Sequence, residues 1–113
     1  MPLHHLHQGC AVLAELQAKR DEVAELCRRH GVRRLSVFGS AARADFDPIR
    51  SDIDVLVEFK PVCMPSLAGL VSLQDELSRL LGGRHVDVAT PTVLENSYRR
   101  RSIEPDLEVL YAA

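Results

Sequence analysis

The sequence predicts an α/β (α+β) fold in which helices pack on a short mixed β-sheet. Two stretches carry apolar residues at the three- and four-residue spacing of a helix face, and shorter stretches are apolar or alternating, as strands are. The predicted order is helix, strand, strand, helix, strand, helix. The chain has 113 residues, of which 46% are hydrophobic, so we expect one core and a single domain over residues 1–113.

The first half of the chain predicts one helix and two strands. The helix extends from Val12 to His30, and Gly31 is expected to cap its C-terminus. The stretch "VRRLSVFGS" follows as a strand that breaks at Gly39. The stretch "DIDVLVEF", residues 52–59, is the second strand.

The second half predicts two helices around a third strand. Ser66 is expected to cap a leucine-rich helix that buries its leucines and ends at the glycine pair 82–83. The third strand is "RHVDVA", residues 84–89. The last helix is expected to open within residues 90–92, and Pro105 is expected to break or kink it.

Alternation along the second and third strands separates an apolar face from an acidic one. Asp52 and Asp54 share the acidic face with Asp87, and His85 lies on that face too. We therefore expect the helices to cover the other face, which carries the apolar residues Ile53, Val55, Val57, Phe59, Val86 and Val88.

The pair Asp52 and Asp54 has a direct chemical interpretation. Carboxylates two positions apart on a strand stand roughly 6–7 Å apart, and at an effective dielectric constant of ~20 they repel by about 2–3 kcal/mol. A divalent cation converts this repulsion into attraction, and Mg²⁺ binds through one or two carboxylates together with substrate phosphates. The pair therefore predicts a magnesium and phosphate site, although two solvated acids at a strand start would give the same short motif.

Gly39 and Ser40 strengthen the phosphate interpretation. A glycine directly after a strand lets the backbone turn tightly and approach a ligand. The amides that follow, with the Ser40 hydroxyl, can bind phosphate oxygens. Asp87 supplies a third carboxylate, which in nucleotidyl transfer can help to hold a metal ion or accept the proton of the nucleophile.

The motifs "VFGSAAR", "SDIDVLVEF" and "VDVAT" together resemble the minimal nucleotidyltransferases, the MNT group of the polymerase-β-like superfamily. The resemblance covers roughly residues 12–111, including a closing helical segment, and implies the small nucleotidyltransferase fold. It also implies an antitoxin of a HEPN/MNT toxin–antitoxin pair. Such a protein transfers AMP from ATP to a hydroxyl, typically a tyrosine, of the HEPN ribonuclease toxin and silences it.

The resemblance also assigns roles to individual residues by motif. It implies that Gly39 and Ser40 hold the nucleoside triphosphate and that Arg43 contacts phosphate. It implies one set of catalytic acids that also bind Mg²⁺, namely Asp52, Asp54 and Asp87.

The chain departs from the family motif between the glycine and the acid pair. Ala41 and Ala44 stand where the family usually has Arg and Gly, and the 11 residues between Ser40 and Asp52 are one more than the family usually has. Two other interpretations therefore stay open. One is an inactive nucleotidyltransferase fold that neutralises a toxin by binding alone, and the other is a transferase acting on a small molecule.

Composition argues against several other classes of protein. With 14 basic and 16 acidic residues the net charge is −2, which does not favour a general nucleic-acid or membrane binder. The 3 Phe and 2 Tyr, without Trp, are too few for a base-stacking platform. The 3 cysteines form no CxxC motif, and no stretch has the pattern of a signal peptide or membrane span, so we expect a cytoplasmic protein.

Overall fold

The computed structural model describes residues 14–39 and 52–113. Short 3₁₀ turns at Pro61–Cys63, Pro91–Glu95 and Glu104–Asp106 join its longer elements. Among the described helices, none combines the length and apolarity needed to cross a bilayer. The longer elements, in chain order, are α1 (Arg20–His30), β1 (Val32–Phe38), β2 (Ile53–Phe59), α2 (Leu67–Leu80), β3 (Val86–Ala89), α3 (Ser97–Ile103) and β4 (Glu108–Ala112).

The strands form a mixed sheet in the order β3-β2-β1-β4. The central strand β1 pairs antiparallel with both β2 and β4, whereas β2 and β3 run parallel. Asp54 stands opposite Phe38 of β1 on one side and opposite Asp87 of β3 on the other. This register brings the end of β1 beside the starts of β2 and β3, and it confirms the mixed sheet that the sequence predicted.

Helices α1 and α2 cover the apolar face of the sheet. Val23 of α1 and Leu73 of α2 are 1% and 0% exposed, and they belong to the same buried cluster as Val55 and Val57 of β2. The alternation of β2 predicted this face, and the cluster confirms it. Leu67 is an exception within α2, because its side chain is 78% exposed rather than part of the core.

The opposite face of the sheet carries a second, smaller core that the alternation did not predict. Phe38, Leu56 and Ile103 are buried together there, with Leu94 and Leu107 packed partly against them. Leu56 lies two positions after Asp54 and therefore shares its face. Helix α3 consequently packs on the face that carries the acids.

The structure confirms two predicted helix boundaries and corrects a third. Gly31 caps α1 in the left-handed conformation with φ 70°, and the Ser66 hydroxyl accepts a hydrogen bond from the amide of Gly69 at 3.2 Å. The last helix was placed too early, since residues 91–95 form a 3₁₀ turn. Asn96 is the N-terminal cap of α3, because its side-chain oxygen accepts a hydrogen bond from the amide of Tyr98 at 2.9 Å.

The two ends of the fold also differ from the sequence prediction. Residues 14–18 are helical, but a turn at Lys19 separates them from α1, and the predicted start at Val12 lies outside the described residues. The closing segment is the strand β4 and not helical as expected. It completes the sheet by pairing with β1, and its Leu110 is buried in the larger core.

Candidate active site

The candidate site lies at the edge of the sheet where β1 ends and β2 and β3 begin. Asp52 directly precedes β2, and His85 directly precedes β3. The amide of Ile53 donates a hydrogen bond to the carbonyl of His85 at 2.9 Å, which holds these two strand starts side by side. In the parallel register Ile53 lies opposite Val86. The residues just before and just after this pair, Asp52 with His85 and Asp54 with Asp87, therefore project to the same face of the sheet.

Three side chains at this edge form a tight polar cluster. His85 Nδ1 lies 3.3 Å from Asp52 Oδ2 and 3.7 Å from Asp87 Oδ1. One ligand atom from each of the three residues lies within 4.8 Å of the other two. Their side chains are 45–62% exposed, so an ion or a phosphate can reach them from solvent.

Asp54 occupies the neighbouring position on the same face and packs against the turn that ends β1. A Cβ atom placed on Gly39 would lie 2.6 Å from Asp54 Oδ2, closer than two such atoms can approach. The backbone of Gly39 also has φ +72°, a conformation that residues other than glycine rarely adopt. The absence of a side chain at Gly39 is therefore what allows the Asp54 carboxylate to lie against this turn.

The donor set at this edge fits a divalent cation. Carboxylate oxygens are the ligands that Mg²⁺ prefers, and an imidazole nitrogen suits transition metals. Arg84, the basic residue directly before His85, points to the helix-covered side of the sheet, where its Nη1 lies 3.0 Å from Glu15 Oε1. That guanidinium is thus engaged elsewhere and does not neutralise Asp52 or Asp87.

The structure places the sequence-predicted site residues as follows. It brings Asp52 and Asp87 together and sets Asp54 beside them on the same face, in contact with the turn at Gly39. Ser40 and Arg43 lie outside the described residues. The catalytic, nucleotide-binding and metal-binding roles of these residues stay predictions.

His85 is the cluster member that the sequence did not assign to the site. Its only signal was its place two residues before Asp87, which put both on one strand face. Nothing in that spacing indicates that its ring lies between two acids from different strands.

Comparison with known proteins agrees with this architecture. Residues 20–110 match the nucleotidyltransferase domain family. Protein adenylyltransferase MntA of Thermococcus cleftensis is 37% identical over 87 residues, which cover 77% of this chain and 81% of that protein. A solved structure assigned as a minimal nucleotidyltransferase superposes with a TM-score of 0.68 at 34% identity, covering 85% of this chain and 93% of its own.

A third likeness is more distant. The match is to a chain in the structure of the tri-AMPylated HEPN toxin of Shewanella oneidensis in complex with its MNT antitoxin. That chain superposes with a TM-score of 0.59 at 17% identity. The match covers 87% of this chain and 73% of the matching chain there, and at this identity it shows a shared fold alone. The family match and the two closer relatives establish the assignment that the glycine–serine and Asp-x-Asp motifs had indicated. The chain belongs to the nucleotidyltransferase family and is a minimal nucleotidyltransferase of the MNT type.

Proposed function

We propose that this chain is an Mg²⁺-dependent antitoxin that transfers AMP from ATP to a hydroxyl of a cognate HEPN ribonuclease toxin. The acceptor is a tyrosine, and the modification neutralises the toxin. The observation that carries the proposal is the acidic edge of the sheet, where Asp52 and Asp87 lie with His85 within 4.8 Å and Asp54 packs against Gly39.

The choice of acceptor and partner is supported by what the similar proteins are. The relative from Thermococcus cleftensis is a protein adenylyltransferase, so a protein rather than a small molecule is the expected acceptor. The fold neighbour from Shewanella oneidensis is an MNT antitoxin bound to an AMPylated HEPN toxin. A HEPN toxin is therefore the partner that this family membership favours.

The reaction exchanges the phosphoanhydride bond between the α- and β-phosphates of ATP for a phosphoester bond to the acceptor. The acceptor oxygen bonds to the α-phosphorus of ATP, the bond from that phosphorus to the bridging oxygen breaks, and pyrophosphate leaves. Asp87 would accept the proton of the acceptor hydroxyl, a role supported by its exposure to solvent at the edge of the sheet. Gly39 and Ser40, with Arg43, would hold the triphosphate.

The metal ion would be held by carboxylates of the same edge, namely Asp52, Asp54 and Asp87. When bound, it supplies positive charge that stabilises the phosphate oxygens and the departing pyrophosphate. The protein's own contribution is to hold the acids close together on paired strands, so that little reorganisation is needed.

The deciding experiment is AMP transfer by a variant that keeps the shape of Asp54 and removes its charge. We expect Asp54→Asn to lower transfer from labelled ATP to the HEPN partner by at least about 100-fold, because an ion-binding group with no equal substitute is lost. Asp75→Asn is the matched control, since Asp75 is an exposed acid on α2. Mass spectrometry of the partner identifies the modified residue.

Transfer by Asp54→Asn at the rate of the control would contradict the proposed role of this site. An Asp52→Asn, Asp54→Asn double variant separates the two ways of neutralising a toxin. Neutralisation that persists in the double variant without AMP transfer would replace the enzymatic proposal with occlusion by binding alone.

A further inference from the structure

His85 occupies a position that the proposed catalytic acids do not explain. Its Nδ1 atom faces both Asp52 and Asp87, although these two acids come from different strands. Its side chain is 62% exposed, so burial in the core does not fix its ring. The backbone does fix its location, through the hydrogen bond between its carbonyl and the amide of Ile53.

The separations within the cluster approach those of ligands around one ion. Bonds of about 2.1 Å place neighbouring ligands of an octahedral ion about 3 Å apart and opposite ligands about 4.2 Å apart. The distances from His85 Nδ1, 3.3 Å to Asp52 Oδ2 and 3.7 Å to Asp87 Oδ1, fall between these values. A charge-assisted N–H···O hydrogen bond would be shorter, at about 2.7–2.9 Å.

A nitrogen ligand changes which ion a carboxylate site favours. Mg²⁺ takes oxygen ligands, whereas imidazole nitrogen suits first-row transition ions. Mn²⁺ shares with Mg²⁺ the preference for carboxylate oxygen, and as a first-row transition ion it also binds imidazole nitrogen.

We infer that His85 Nδ1 joins Asp52 and Asp87 as a metal ligand and makes this site prefer Mn²⁺ over Mg²⁺. The inference rests on the proposed function, since it concerns the same metal site, and it names a specificity-determining residue in it. Asp52 and Asp87 contribute the charge that attracts any divalent ion. His85 contributes the discrimination between ions.

The test measures metal binding to the full chain without nucleotide, at one fixed pH. Mn²⁺ affinity is obtained by electron paramagnetic resonance, Mg²⁺ affinity by competition, and pulsed spectra report any nitrogen bonded to Mn²⁺. The variant is His85→Gln, which removes the ring. The matched control is His30→Gln, because His30 Nε2 pairs with Glu76 Oε2 at 2.8 Å between the helices on the other face.

We expect the unmodified chain and the control to show the nitrogen signal and to bind Mn²⁺ more tightly than Mg²⁺. His85→Gln should lose that signal and about tenfold of its Mn²⁺ affinity, with its Mg²⁺ affinity unchanged. Absence of the nitrogen signal in the unmodified chain would overturn the inference. So would a rise in affinity for both ions in His85→Gln, because that result makes His85 a competitor of the metal.

The outcomes also separate this inference from the proposed function. A nitrogen signal that depends on His85, in a chain that transfers no AMP with either ion, would support the inference and contradict the function. AMP transfer that depends on Asp54, in a chain whose Mn²⁺ affinity is the same with and without the His85 ring, would support the function and contradict the inference.

Discussion

Gly39 couples the end of β1 to the candidate site through a single steric relation. The space that a side chain would fill at this position is taken by the Asp54 carboxylate, 2.6 Å from where Cβ would lie. The backbone there is also left-handed, with φ +72°. A substitution at Gly39 therefore carries two penalties, one conformational and one from the contact with Asp54.

Gly39→Ala should lower both the stability and the activity of the chain. Left-handed backbone costs a residue with a Cβ roughly 1–2 kcal/mol, and displacement of Asp54 adds to that cost. Gly82→Ala is the matched control, because Gly82 has φ +77° and nothing within 4 Å of the added Cβ. Urea unfolding and AMP transfer should show the larger stability loss, and a transfer defect, in Gly39→Ala alone. Equal stability losses with normal transfer in both variants would show that the Asp54 contact is unimportant.

The residues of the candidate site were predictable from the sequence to different degrees. Alternation was enough to place Asp52, Asp54 and Asp87 on one face, because side-chain direction in a strand depends only on parity. The closeness of His85 to Asp52 depends instead on the parallel register of β2 and β3. That register is a long-range property that the local pattern of either strand does not contain.

At the scale of elements, Glu76 links α2 to the C-terminal turn of α1. Its two carboxylate oxygens lie 2.8 Å from Arg29 Nη1 and 2.8 Å from His30 Nε2. The hydrogen bond from His30, followed by that from Arg29, lowers the pKa of Glu76 below its ordinary value of 4.5. Both partners favour the ionised carboxylate, so the link between the helices depends on pH.

The stability contributed by this link should be lost in acid. A carboxyl with a lowered pKa in the native state stabilises the fold fully above its unfolded pKa, and this contribution falls as the pH drops through the native pKa. Glu76→Gln should therefore be less stable than the unmodified chain near neutral pH, with a difference that shrinks below pH 4.5. Urea unfolding midpoints across this range measure it, and the exposed Glu95→Gln is the control. A difference that stayed constant with pH would contradict the assignment.

The elements themselves were predictable where a local signal was strong. Gly31 and Ser66 mark helix ends by their own chemistry, and both act as expected. Strand β4 carried no comparable signal, since it follows Pro105 closely and its Val109 is 51% exposed. An edge strand of this length is defined by the hydrogen bonds of its neighbour β1, which no window of sequence reveals.

At the scale of the whole molecule, the sheet is covered unequally on its two faces. The larger core joins α1, α2 and all strands of the described sheet, and Leu73 at its centre is fully buried. The smaller core on the acidic face has the buried residues Phe38, Leu56 and Ile103, and its other members are only partly buried. We therefore expect the layer formed by α3 to open more readily than the layer formed by α1 and α2.

Matched truncations in the two cores test this difference. Leu73→Ala should lower the free energy of unfolding by about 3–5 kcal/mol, because it leaves a cavity that the surrounding cluster is too constrained to fill. Ile103→Ala should cost about 2 kcal/mol, since its partly exposed neighbours can close around the missing atoms. Hydrogen exchange should show α3 amides protected less than those of β2 in the unmodified chain, and Ile103→Ala should accelerate α3 selectively. Equal losses in both variants, with α3 exchanging only when the whole chain unfolds, would mean that the acidic face is held as firmly as the helix-covered one.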